Sequence, residues 1–421
     1  MYSGSLIRSF TIFFVIAACF TGTVAAASLG IDWRQAPMLA DNVFSGVTIT
    51  PDASKVYSGG SQLLVRSWDG DVHWGGQAGF IADMSADGNY VVTSSGNTVT
   101  LLNVSGIQVW SRNMEGTIKA VAVAPNASFV ISVDDKGNYN SWASNGEFIG
   151  RNKTDVVKQV AIAPGGDLVV ATTDAGIRFF TSSLEPVWTD SRAGSLDTYI
   201  VISDDGSTVI TAGGSRVSSH TRKGAFNWQF DVSDAAINDI ACSQDCSIIV
   251  VGSQDNTVRA IDRYGKVHWT YKTGQWANAV SVSRSGSVIA VGANDGTVLI
   301  LNNGGRLQTQ RKFDSRIQPR SIAVSSDGSK VVAADQYYLY GLTLSGISPT
   351  ETTSDTVFVA ATLNPVRTAA TTVATTAPVV EETVEETTAP TPLPTKQSPV
   401  GVWITIPAVA GALCLIRRPQ R

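Results

Sequence analysis

A strand–turn–strand unit recurs eight times along the chain at a spacing of about 40 residues, and no other feature limits the fold so tightly. Aligned on the turn, the copies begin near Gly46, Phe80, Lys119, Lys158, Thr198, Asn238, Asn278 and Arg320. Each opens with alternating apolar residues such as Val280 and Val282, the period-two mark of a strand with one packed face. A tight turn follows, as in Ser85-Ala86-Asp87-Gly88 and Ser325-Ser326-Asp327-Gly328. Asp caps such a turn, and Gly supplies the positive φ a short hairpin needs. A second and a third apolar strand come next, then a Gly turn and a fourth strand that closes on Trp. The closing Gly-x-x-x-Trp spacing appears at Gly70/Trp74, Gly106/Trp110, Gly224/Trp228 and Gly265/Trp269, with Trp188 at the same position after Leu184. Four strands repeated at this period make the blades of a β-propeller.

The ends of the repeat region show how the ring closes. The last copy has three strands, and the segment Leu29-Gly-Ile-Asp-Trp33 reads as a fourth strand without its first three. Joined, they complete one blade and remove an open sheet edge. Eight blades are therefore expected over residues 28–345; the short first copy leaves seven as the alternative. The tryptophans Trp33, Trp74, Trp110, Trp188, Trp228 and Trp269 are expected to pack within and between blades.

Outside the repeats the composition changes. Residues 1–27 carry Arg8, an apolar run and Ala25-Ala26-Ala27, the layout of a cleaved export signal. A rival cut lies before Cys19, where Ile16-Ala17-Ala18-Cys19 resembles a bacterial lipobox and would leave a lipidated cysteine. Residues 346–399 are rich in Thr, Pro, Ala and Glu and read as a disordered stalk, spanning roughly 40 Å as a coil and up to about 150 Å extended. Residues 400–416 are uncharged and are followed by Arg417, Arg418 and Arg421. That pattern predicts a single membrane span with residues 417–421 in the cytoplasm and the propeller outside. The stalk holds six acids against Arg367 and Lys396, enough to account for the net charge of -4. The repeats are thus near neutral, and without a basic stripe nucleic acid is set aside as a partner.

The Asp-Gly turns, Gly-x-x-x-Trp closures and 40-residue unit resemble the quinoprotein-like and WD-repeat-like propellers of exported archaeal proteins, over residues 29–345. The stalk and basic tail resemble the C-terminal anchors of archaeal surface-layer proteins. The Gly-His and terminal Trp-Asp of eukaryotic WD repeats do not recur; Trp68-Asp69 is a single occurrence. The resemblance implies a monomeric binding module and, as an alternative, a dehydrogenase using pyrroloquinoline quinone, whose cofactor lies over a disulfide between adjacent cysteines with calcium held by Glu, Asn and Asp.

The residues favour the binding module. Cys242 and Cys246 flank the turn of the sixth copy and are expected to form a structural disulfide outside the cell. His73 and His268 hold the same repeat position on different blades and so do not converge on a metal; surface histidines are expected. No full calcium loop, nucleophile elbow or phosphate loop occurs, so no catalytic, metal or cofactor residue is assigned. Sequons at Asn103, Asn126 and Asn152 are glycan acceptors in an exported protein, and Asn103 and Asn126 fall on turns of one propeller face. The opposite face carries the loops joining the blades, with Trp276, Arg192, Arg316 and Glu115 as the contact residues. The expected role is a non-catalytic, membrane-anchored surface propeller that binds protein or glycan; a cell-envelope assembly scaffold differs only in its partner.

Overall fold

The hairpin turns explain the blades from the bottom up. In the computed structural model, Ser85 Oγ donates to Asp87 Oδ1 at 2.6 Å and accepts the amide of Tyr90 at 3.0 Å, while Gly88 takes φ +66°. The same serine–aspartate clasp forms at Ser203/Asp205, Ser243/Asp245 and Ser325/Asp327. Each clasp fixes the first hairpin of its blade, and the alternation of the flanking strands then decides which face is buried.

The structure describes residues 26–36, 44–60, 63–76, 81–191 and 198–346. Its regular elements are all strands, arranged in eight four-stranded antiparallel sheets. Seven blades are consecutive meanders: I (44–76), II (81–113), III (118–153), IV (157–190), V (199–231), VI (237–272) and VII (277–312). Blade VIII takes three strands from 317–345 and its outermost strand from Ser28–Gln35, which pairs with Leu339–Ser345 in the register Ser28↔Ser345 to Gln35↔Leu339. The count is eight, and the N-terminal strand closes the ring. Among the described residues no helix is long and apolar enough to cross a membrane. The export signal, Cys19, the stalk and the 400–416 span lie outside the described residues, as does Arg192.

The core is not one mass but a set of layers between blades. Eight buried clusters form, one at each seam. At the III–IV seam, for instance, Ile131, Val133 and Tyr139 pack on Val160, Val169 and Phe180. Each blade is therefore stabilised mainly by its two neighbours.

The closing tryptophans lie across these seams. Trp74 covers Gly106 of the next blade so closely that a Cβ there would overlap its indole, and Trp188, Trp228 and Trp269 cover Gly224, Gly265 and Gly305 in the same way. The indole N–H of Trp110, Trp228 and Trp269 donates to the carbonyl of Ser144, Arg263 and Asn303, each on the neighbouring blade's last turn. Trp33 stacks on Arg66 at 3.9 Å and meets Trp68 edge-on at 5.7 Å, joining blade VIII to blade I.

Blade III has no tryptophan at this position. Gly150 stands there, opposite Ser141, and a Cβ on it would run into the carbonyl of Ser183 in blade IV. Because backbone cannot move aside cheaply, Gly150→Ala is expected to lower stability by about 2 kcal/mol, within the range for overpacking. Urea unfolding read by tryptophan fluorescence checks it; an unchanged midpoint would mean that the seam is looser than described.

Candidate functional site

The first strand of every blade stands around a central channel, and its free edge needs partners for its amide groups. Side chains of the preceding blade supply them. Asp83 Oδ2 accepts the amide of Val123 at 2.9 Å, Gln159 Oε1 that of Ile200 at 3.1 Å, Asp239 Oδ2 that of Val280 at 3.0 Å and Ser281 Oγ that of Val324 at 3.1 Å. Asp83 and Asp239 also accept from the amides of Met84 and Ile240. Burial nevertheless dominates their titration. Asp239, buried within its seam, is pushed up to about 7, and Asp83, which keeps part of its surface open to the channel, to about 6.

The inner strands share a second device. In blades III, IV, VI and VII the pairing register slips by one residue at Lys119, Lys158, Asn238 and Asn278, which have no partner on the second strand. Blade VIII slips over Gln318–Ser321, where Arg320 adopts φ +57°. These are β-bulges, which re-aim a side chain without breaking the sheet. Blade I slips likewise at Ser45, and all six fall at the same place in the repeat, where blade V has Thr198. Lys119, Lys158 and Arg320 line a cavity of about 580 Å³ bounded by the inner strands of blades I–IV and VIII. Asn238 donates to the carbonyl of Ala277 and Asn278 to that of Ile317, knitting the VI–VIII side of the ring. Arg320 lies over the Tyr199 ring at 4.6 Å and faces Asp239. Lys158 pairs with Asp174 at 3.3 Å.

This ring opens on the face of the blade-joining loops. Trp276 is there, two residues before Asn278 and 45% exposed. Arg316 is exposed four residues before Arg320, and Glu115 is exposed four residues before Lys119, at 3.9 Å from Arg151. Sequence reasoning thus placed Trp276, Arg316 and Glu115 on one face but missed the ring beside them. The signal was present: charged or amide residues at one repeat position of otherwise apolar strands.

The remaining residues fall elsewhere. Cys242 and Cys246 are joined across the first turn of blade VI, with Cα atoms 5.0 Å apart and Cys246 in the positive-φ place that Gly fills in sister turns. Asn126 is exposed on a first hairpin turn. Asn103 uses its side-chain oxygen to cap the last turn of blade II, and Asn152 donates its amide to the carbonyl of Leu184 in the next blade. His73 and His268 are exposed, His268 lying 3.1 Å from Asp262. His220 differs: it is fully buried at the IV–V seam, 3.0 Å from Asp190 and stacked among Phe179, Trp188 and Phe226. Both side chains are buried, and the pair packs the IV–V seam.

The adjacent-cysteine disulfide implied by the quinone alternative is not what Cys242 and Cys246 form. The cysteines are four residues apart and sit on a hairpin turn rather than adjacent over the channel. Among the described residues no three His, Cys, Asp or Glu side chains gather as a metal site.

Fold and channel together define the class: an eight-bladed β-propeller, similar to quinoprotein-like and WD40 propellers. A family model described as outer membrane protein assembly factor BamB matches residues 169–376. Among solved structures, the C-terminal WD40 domain of Sif2 is 16% identical with a TM-score of 0.63, covering 75% of this chain and 98% of that one. The computationally designed Ika8 protein is 15% identical with a TM-score of 0.62, covering 73% and 98%. At such identities the two structures speak for the fold alone. No curated protein matches the sequence. None of these matches bears on an archaeal origin.

Proposed function

We propose that this chain is a non-catalytic propeller that offers its blade-joining face to a partner at the cell envelope. In this reading the export signal places the domain outside, and the 346–399 stalk and 400–416 anchor hold it at the membrane. The observation that carries the reading is Trp276, a large apolar side chain left 45% exposed beside the channel mouth and outside the packing position of its blade. Tryptophan and arginine are the side chains on which binding energy concentrates, and Arg316 shares the face. The match to an outer membrane assembly factor favours a protein over a glycan, and an assembly scaffold over simple display.

Trp276→Ser is expected to weaken capture of the partner from envelope extract by about 30-fold, the scale of a central contact residue. Tyr264→Ser removes an aromatic that is 80% exposed on the last turn of blade VI, at the opposite face, and should leave capture unchanged. Equal capture by the wild type and both variants overturns the assignment of the face.

A further inference from the structure

We propose that Asn126 is the one sequon of the three at which the folded propeller accepts an N-linked glycan. The sugar would stand beside the far mouth of the channel, away from the face that holds Trp276. This inference rests on export, as the proposed function does. Asn126 fills a place in the repeat that Asp52, Asp87, Asp205, Asp245 and Asp327 hold on the first turns of other blades. In blade II the aspartate is clasped by the hydroxyl of Ser85, but blade III has buried Ala124 in place of that serine. Nothing within the turn therefore competes for the Asn126 side chain from that side. Its Oδ1 accepts the amide of Ser128 at 3.1 Å and the Ser128 hydroxyl at 2.7 Å, an Asx turn that ties the sequon's hydroxyl to its asparagine. Among the described residues Nδ2 has no partner, and the residue is exposed.

The other two sequons are engaged by the fold. Asn152 is half-buried in a strand, and its Nδ2 donates to the carbonyl of Leu184 in blade IV at 3.0 Å. A sugar on that nitrogen would cost the bond and wedge into the III–IV seam. Asn103 is half-buried and held in its turn by the amides of Ser105 at 3.0 Å and Ile107 at 2.9 Å, while Gly106 of the same turn lies under the indole of Trp74. Asn126, by contrast, stands where the first turns meet around the channel. The amide of Ala86 donates to the carbonyl of Pro125 at 3.0 Å, and Asp204, Gln244, Arg284 and Ser326 make the same contact in succession from blade V to blade I. In the transfer, Nδ2 bonds to the anomeric carbon of a lipid-linked glycosyl phosphate or diphosphate. The sugar–phosphate bond breaks, the lipid phosphate leaves with the bonding pair, and the amide gives up one proton.

The test is peptide mapping by mass spectrometry of the full-length chain isolated from the cells that make it. A sugar-mass increment is expected on the peptide that holds Asn126, and none on those that hold Asn103 and Asn152. Asn126→Asp, the residue that sister turns carry, keeps an oxygen for the Ser128 amide and should abolish the increment. Ser128→Ala should abolish it too, whereas Ser128→Thr preserves the sequon and should keep it. A bare Asn126, or an increment on Asn103 or Asn152, overturns the proposal. The N-terminal peptide of the same map separates this inference from the reading it rests on. A chain cut after its signal with Asn126 bare refutes the glycan and leaves the proposed function standing. An uncut chain with Asn126 bare refutes both.

Discussion

A chain lacking residues 28–35 is expected to lose the folded propeller rather than merely soften it. That strand is the outermost of blade VIII, and without it Leu339–Ser345 becomes an open edge in an otherwise closed ring. Buried Leu29 leaves the VII–VIII layer, and Trp33 leaves its stack on Arg66 and Trp68. Arg66, itself buried, would then have neither the indole face nor full hydration. Two such core side chains are together worth on the order of 5 kcal/mol or more, comparable to the whole stability of an ordinary domain. Arg311 also loses the carbonyl of Leu29, and Trp68 and Thr343 lose the Asp32 carboxylate to which they donate. Circular dichroism melts and size-exclusion chromatography would show no cooperative transition and a shift to aggregates. A monomer melting at the wild-type temperature would mean that the strand is an accessory, not the closure.

The stability of the wild type should peak near pH 4 to 5 and decline toward pH 8, against the habit of most globular proteins. Asp239 is the main reason. Its carboxyl is held near 7 in the fold by burial, against 3.8 when free, so the folded state binds more protons than the unfolded one between those values. Stability contributed by the neutral form is whole below pH 4 and drains away as pH rises to 7; the complete difference is about 4 kcal/mol. Asp83, pushed to about 6, adds in the same direction. The acid limb has the opposite sign. Hydrogen bonds from Thr50 and Ser54 hold Asp52 down to about 2, and Arg178 and Ser203 lower Asp155 and Asp205, so their contributions vanish as pH falls through those depressed values. Asp239→Asn should flatten the slope between pH 5 and 8 even if its overall stability drops, since its amide meets the amide of Val280 or Ile240 with a donor. A melting temperature that climbs steadily from pH 5 to 8 would sink this account.

The blades were legible because their grammar is local. Period-two alternation, a Ser-x-Asp-Gly turn and a Gly-x-x-x-Trp closure each span a few residues, and their recurrence gave the number of blades. The latch was legible for the same reason, since Leu29–Trp33 is a fourth strand with nothing before it. What stayed hidden depends on a single inserted residue or on a neighbouring blade. A bulge at Lys119 or Lys158 changes the face of a side chain while leaving the apolar count of the strand almost untouched. Nothing in the strands of Asp83 and Asp239 tells that an amide of the next blade meets each carboxylate. His220, too, resembles its surface counterparts in sequence, yet its repeat position differs and Asp190 comes from another blade. Trp276 was found by the reverse logic, as an aromatic for which the repeat had no use.

The join in blade VIII also bears on mechanics. Ser28 and Ser345 sit side by side, their hydroxyls 2.8 Å apart, so both ends of the ring leave it at one point. Tension arriving through residues beyond 346 enters by Leu339–Ser345, the one strand of its blade bonded on one side to the C-terminal part of the chain and on the other to the N-terminal part. To pull it free, two ladders must fail together, and the strand given by the far end of the sequence shares the strain. The fold thereby doubles its ladders at the point where the chain leaves the ring.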